Sequence, residues 1–205
     1  MKKFLLTITV AILFASCSQT KYSDVFFREK TETVDAEMKY AAFPKLPRLS
    51  EKIKSVAQQR YDNFIEYAVD YGDDSEFAHY FRLETKVYIN KNILTITFHH
   101  ETTYARSAHG SHGIFASLSY DLDKNDFTDL VTVSGMTLPE IGKFCYDSLP
   151  TDHDFKEWLL TPGELQPERF PFSFENGEIT IWFEPYAVGP YAAGAFEVKI
   201  RPKTK

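Results

Sequence analysis

Cysteine is almost absent from this 205-residue chain, with Cys17 near the amino terminus and Cys145 far from it. If Cys17 is modified, no internal disulfide is left, and a body of this size must be held by its own apolar core. An uninterrupted membrane-length run is also missing. The longest apolar stretch, Phe4 to Phe14, would reach only about 16 Å as a helix, roughly half of a ~30 Å hydrocarbon layer. Low-complexity segments and internal repeats are absent. Excess basic charge is lacking too, which argues against a nucleic-acid partner.

What stands at the amino terminus is a charged Met1-Lys2-Lys3 followed by that apolar stretch, the layout of an export signal over residues 1–16. Phe14-Ala15-Ser16-Cys17 resembles the lipobox of bacterial lipoproteins, with Phe14 where leucine is usual. The expectation is a cut before Cys17, acylation of its sulfur and a lipid anchor in the cell envelope, outside the cytoplasm. An ordinary secretory signal beside a free cysteine is the competing reading. Several acyl chains on one residue hold firmly, since each buried methylene adds ~0.8 kcal/mol. Loss of Lys2 and Lys3 would leave 21 basic against 29 acidic residues, a net charge of −8.

Residues 17–33 read as the lipidated cysteine and a flexible polar tether, and 34–205 as the folded domain, either one body or two lobes, 34–105 and 106–205. Ser50 is placed to cap a helix whose apolar positions Ile53, Val56, Ala57, Tyr61, Phe64, Ile65 and Ala68 recur every three or four residues. Acidic residues 72–76 end it as a loop. From Phe81 to Ile89 the period becomes two, and a turn at Asn90-Lys91-Asn92 leads to Leu94, Ile96 and Phe98. A third strand spans 114–122.

Helical spacing returns from Pro139 to Leu149 through Ile141, Phe144 and Cys145, with a further turn over 155–160. Asn176-Gly177, flanked by apolar alternation, predicts a hairpin, and Phe196 to Ile200 a last strand. The fold class expected is α+β, a mainly antiparallel sheet with two principal helices packed against it.

Four of the six histidines lie between His99 and His112. Imidazole is a good ligand, and His109-x-x-His112 could bring two rings to one ion or supply a base, which is the basis for an envelope-hydrolase reading. Adjacent His99 and His100 point to opposite faces of a strand, however, so at most one can join them. A helical His-Glu-x-x-His is lacking, as is a Gly-x-Ser-x-Gly elbow beside Ser107 or Ser111. The plainer reading is a glycine-bearing turn whose polar groups bond to its own backbone. The carboxylate pairs Asp121/Asp123 and Asp152/Asp154 read better as turn residues than as a glycosidase pair.

Phe183-Glu184-Pro185-Tyr186-Ala187-Val188-Gly189-Pro190-Tyr191-Ala192-Ala193-Gly194 is too apolar for a mere solvated connection. Its prolines and glycines prescribe a path, and Tyr186 and Tyr191 offer rigid amphipathic contact area, unless they pack against the sheet.

Ala108-His109-Gly110, Tyr120-Asp121-Leu122 and the Pro185-Tyr186 to Gly189-Pro190-Tyr191-Ala192-x-Gly194 ending together resemble the RsiV-like extracytoplasmic domain family. That family comprises the ectodomain of a lysozyme-sensing anti-sigma factor and the amino-terminal region of PdaC-like polysaccharide deacetylases. The resemblance covers nearly all of 34–205 and implies a ligand-binding domain with no cofactor. Its expected partner is a cationic protein such as lysozyme, or peptidoglycan, and the candidate contact residues are Tyr186, Pro190, Tyr191, His109 and His112. Neither a sigma-binding segment nor a deacetylase metal motif is read here, so signalling and deacetylation do not carry over. A non-catalytic structural lipoprotein is the remaining alternative.

Overall fold

The structure, a computed structural model, describes residues 10–11, 20–70, 78–105, 107 and 109–203. Cys17, most of the expected export signal and the acidic loop 72–76 lie outside the described residues. The fold is α+β, and its sheets are mostly antiparallel. Two compact units divide the chain. One comprises 1–86 and 100–112, the other 87–99 and 113–205, so the division does not fall at 105/106. Strands that run on past either unit's end explain why no single cut in the sequence separates two lobes.

Strands β1 (Val10–Ala11), β2 (Ser23–Lys30) and β3 (Val34–Ala42) pair antiparallel in turn. Here the tether reading needs correction. Residues 23–30 pair with β3 along their whole length, from Ser23↔Ala42 to Lys30↔Asp35, so they are strand and not tether. Alternation in β2 is blurred because Phe26 and Phe27 are both half-buried, and the sequence therefore shows no clean period of two.

Helix α1 (Pro47–Asp70) follows. Leu49, Ile53, Ala57, Tyr61, Phe64 and Ala68 form its buried stripe, at the spacing that puts side chains on one face. The helix starts earlier than expected, with Pro47 in its first turn, where a missing N–H costs nothing. Ser50 is thus not its cap. Its hydroxyl accepts from the Phe43 amide at 2.7 Å and faces the Leu46 carbonyl at 3.2 Å, fastening the strand exit to the first turn.

Strand β4 (His79–Asn90) then pairs parallel with β3, in register from Val34↔His79 to Lys39↔Glu84. A parallel pair needs a long crossover, and α1 supplies it. Lys39 lies 3.5 Å from Asp24 of β2 and 3.1 Å from Glu84 of β4, whose hydrogen bond is the main reason the ammonium titrates above its ordinary value. Tyr61 donates to Glu29, and burial with that bond pushes its phenol upward. Stacked rings back the helix, Phe64 lying 5.0 Å from Phe81 and 5.6 Å from Tyr104 between centroids.

Beyond the turn at Lys91 (φ 55°), β5 (Ile93–Thr103), β6 (Ser111–Asp121) and β7 (Asp126–Thr128) complete the seven-stranded order β1 to β7. In the second unit, α2 (Leu130–Ser134) and α3 (Leu138–Ser148) follow. Thr137 and Glu140 form a reciprocal capping box at the start of α3. Ile141, Cys145 and Leu149 enter the core, whereas Phe144 is 42% exposed and not part of the buried face. Burial pushes the Cys145 thiol up to about 12.

After α4 (His153–Lys156) and three short 3-10 turns, β8 (Phe172–Glu175), β9 (Glu178–Phe183) and β10 (Phe196–Ile200) form an antiparallel meander. Asn176 (φ 52°) and Gly177 (φ 78°) make its first turn, as the dipeptide requires. Phe172, Phe174, Ile179, Ile181, Phe183, Val198 and Ile200 share one core with α3.

Candidate functional site

The connection between β9 and β10 is built as a rigid projection. Its first turn closes when the Ala187 amide donates to the Glu184 carbonyl at 3.0 Å. This places Tyr186 at φ 71°, a left-handed conformation that an aromatic residue seldom adopts. The strain is held in place from below. Val188 is fully buried, and the Trp158 indole N–H donates to the Ala187 carbonyl at 2.9 Å.

Gly189 is buried where a Cβ would stand 3.0 Å from Phe196 and 3.1 Å from Thr151, so no larger residue fits without displacement. Pro190 is exposed, and a 3-10 turn over Tyr191–Ala193 closes with Ala193 N–H to the Pro190 carbonyl at 2.9 Å. Gly194, at φ 76° and ψ −158°, leads the chain back into β10 in a conformation essentially reserved for glycine.

What this loop presents is aromatic. Tyr186 is 61% exposed and Tyr191 is half-buried, with ring centroids 5.4 Å apart and planes tilted by 37°. Paired rings restrict each other's rotamers, so little side-chain entropy is left to lose on contact. Of the two outcomes open at the sequence level, burial against the sheet is not the one found for Tyr186.

Trp158 and Arg169 are supporting residues that sequence reasoning did not single out. The guanidinium of Arg169 lies 3.7 Å from the Trp158 ring centre, and Phe170 and Phe183 pack at 5.5 and 6.3 Å. No periodicity links a tryptophan at 158 to a carbonyl at 187.

His109 and His112 belong to the other unit, His109 on the connection between β5 and β6 and His112 at the start of β6. Both are exposed, and the His109 Nδ1 is 3.4 Å from the Gly110 carbonyl. Gly110 is required by close approach, since a Cβ there would stand 2.5 Å from the Thr102 carbonyl oxygen. The Ser107 hydroxyl and amide both donate to the Tyr104 carbonyl, at 2.7 and 2.9 Å, which is the self-bonded turn expected of such a sequence. His100 is buried and accepts from Arg60, while His99 lies 2.9 Å from Thr97, so the adjacent pair does point to opposite faces. Among the described residues, no three His, Cys, Asp or Glu side chains are grouped as a metal ion would need. Nor, among them, is any helix long and apolar enough to cross a membrane.

Residues 129–202 match a family model described as a protein of unknown function, DUF3298. No curated protein matches the chain. Among solved structures, a DUF3298 family protein from Pseudomonas aeruginosa PAO1 is similar, with a TM-score of 0.54 and 16% identity over 97% of this chain and 89% of that one. A member of the same family from Bacteroides fragilis NCTC 9343 gives a TM-score of 0.52 and 19% identity over the same shares. At such identities the likeness speaks for architecture alone. The chain therefore has the fold of DUF3298 proteins, and its segment 129–202, which holds the tyrosine loop, carries that family's sequence pattern.

Proposed function

We propose that this chain is an envelope lipoprotein, anchored outside the cytoplasm through acylated Cys17, whose RsiV-like domain binds an extracytoplasmic ligand. The observation that carries the binding reading is Tyr186, strained at φ 71°, 61% exposed and paired with Tyr191 on a loop fixed by Trp158. A strained, exposed aromatic on a rigid base is costly for folding alone, and such strain concentrates where a surface must be pre-organised. Tyrosine is among the side chains that dominate contact energy at interfaces.

The ligand this surface suits is a basic protein such as a lysozyme, or a peptidoglycan fragment. A net charge of −6 for the whole chain, and −8 after loss of Lys2 and Lys3, steers a cationic partner toward it. Pro190 and Tyr191 extend the contact; His109 and His112, exposed on the other unit, are proposed as secondary contacts.

Calorimetry with lysozymes and with muropeptides tests the proposal. Saturable binding that is lost on Tyr186→Ala combined with Tyr191→Ala supports it. Silence from both ligand classes at near-millimolar concentration would remove it.

A further inference from the structure

The first unit holds a cleft of about 250 Å³ whose described lining comes from that unit alone. Arg60, Asn63, Phe64 and Tyr67 of α1 form one side, and Thr102, Tyr104 and Ser111 the other. Tyr67 is 58% exposed, which is unusual for a large ring on a helix whose apolar stripe is otherwise buried. Its centroid lies 6.2 Å from Tyr104 at 64°, and Tyr104 in turn stacks on Phe64. The aromatic wall is thereby backed by the core.

At the same opening the Arg60 guanidinium is positioned from behind. Its Nη2 and Nε lie 2.7 and 3.3 Å from Nδ1 of His100, which is only 4% exposed. A buried imidazole against one edge of a guanidinium restricts how that group can turn, and a guanidinium is the side chain whose planar geometry matches a carboxylate. Asn63 and Ser111 add polar groups to the lining.

We propose that this cleft binds one acidic sugar residue. The apolar face of the pyranose packs on Tyr67 and Tyr104, and its carboxylate meets Arg60. Size selects the ligand, because ligand cavities usually exceed about 300 Å³ and this one is smaller, with room for one ring. Mixed lining selects the chemistry, since a sugar has one apolar face and a hydroxylated edge where an aliphatic acid has no such edge. The net charge of −6 opposes an anion at long range, so the carboxylate must be recognised by contact with Arg60 and not by the field of the whole chain.

The test titrates the full-length protein with glucuronic acid, glucose and acetate, followed by calorimetry or by tyrosine fluorescence. Glucuronate is expected to bind saturably in the millimolar range, with glucose and acetate each about tenfold weaker or worse. Arg60→Met should weaken glucuronate about tenfold and leave glucose unchanged. Tyr67→Ala, at a position 58% exposed, should weaken both sugars, and Gly163→Ala, where nothing lies within 4 Å of an added Cβ, should weaken neither. Equal binding of glucose and glucuronate, acetate as good as glucuronate, no saturable binding at all, or indifference to Tyr67→Ala would each overturn the proposal.

Discussion

The indole nitrogen of Trp158 and the carbonyl oxygen of Ala187 lie 2.9 Å apart, twenty-nine residues from each other in the chain, and this bond holds the residue next to Tyr186. Trp158→Phe keeps an aromatic under Arg169 but leaves the carbonyl without its donor. We expect a loss of ~1–2 kcal/mol in stability from the hydrogen bond and weaker cation–π contact. Denaturant melts measure that loss. Calorimetry should show weakened ligand binding as well, because a loosened loop must be ordered on contact.

Tyr186→Gly separates strain from recognition. Releasing an aromatic residue from φ 71° recovers ~1–2 kcal/mol, while glycine's greater freedom in the unfolded chain costs ~0.5–1 kcal/mol. The expected outcome is a variant as stable as the parent, or up to ~1.5 kcal/mol more so, that no longer binds. A clear fall in melting temperature would show that Tyr186 serves the fold.

Two glycines should behave oppositely. A Cβ on Gly142 of α3 would stand 2.3 Å from the Leu159 carbonyl oxygen, whereas nothing lies within 4 Å of one on Gly163. Gly142→Ala should therefore cost ~1–3 kcal/mol as overpacking. Gly163→Ala should be neutral or stabilising by up to ~1 kcal/mol through the unfolded state. Paired urea titrations with unchanged slopes are the check.

Glu140 gives the acid limb a definite direction. The Lys203 ammonium at 2.7 Å, then the Thr137 amide and hydroxyl, hold its carboxyl at about 2 against an ordinary 4.5. Its folded value lies below its unfolded one, so its contribution is complete above pH 4.5 and disappears as pH falls toward 2. Melting temperatures of Glu140→Gln against the parent should differ at pH 6 and converge toward pH 2. The difference should shrink in high salt, since both partners are half-exposed.

Thiol counting tests the anchor. With its ionisation raised to about 12 by burial, Cys145 is thiolate in roughly one molecule in ten thousand at pH 8 and should resist alkylation until the protein unfolds. Protein recovered from membranes should yield no reactive thiol when native and one when denatured. Two thiols after denaturation would mean that Cys17 carries no lipid.

How much of this was legible beforehand depended on whether neighbours in sequence were also neighbours in space. Helix α1 and the Asn176-Gly177 hairpin were readable because period and turn chemistry are local properties. Strand β2 escaped, since its burial comes from pairing with β3 and from Tyr61 on a later helix, which packs 5.2 Å from Phe27. The parallel pairing of β3 with β4 was equally invisible: nothing near residue 34 points to residue 79. At the tyrosine loop, composition announced a prescribed path, but the left-handed Tyr186 and its support by Trp158 arise only from packing. Arg60 was hidden among the polar residues of an amphipathic helix, its role depending on a histidine forty residues on.

Pairing of Ser23 also limits how far the protein can roam. If lipid is attached at Cys17, only five residues, 18–22, lie between it and strand β2, at most ~20 Å at full stretch where a tether to residue 33 would have allowed ~55 Å. A domain anchored in this way would stay close to its membrane, and whatever it recognised would have to arrive there.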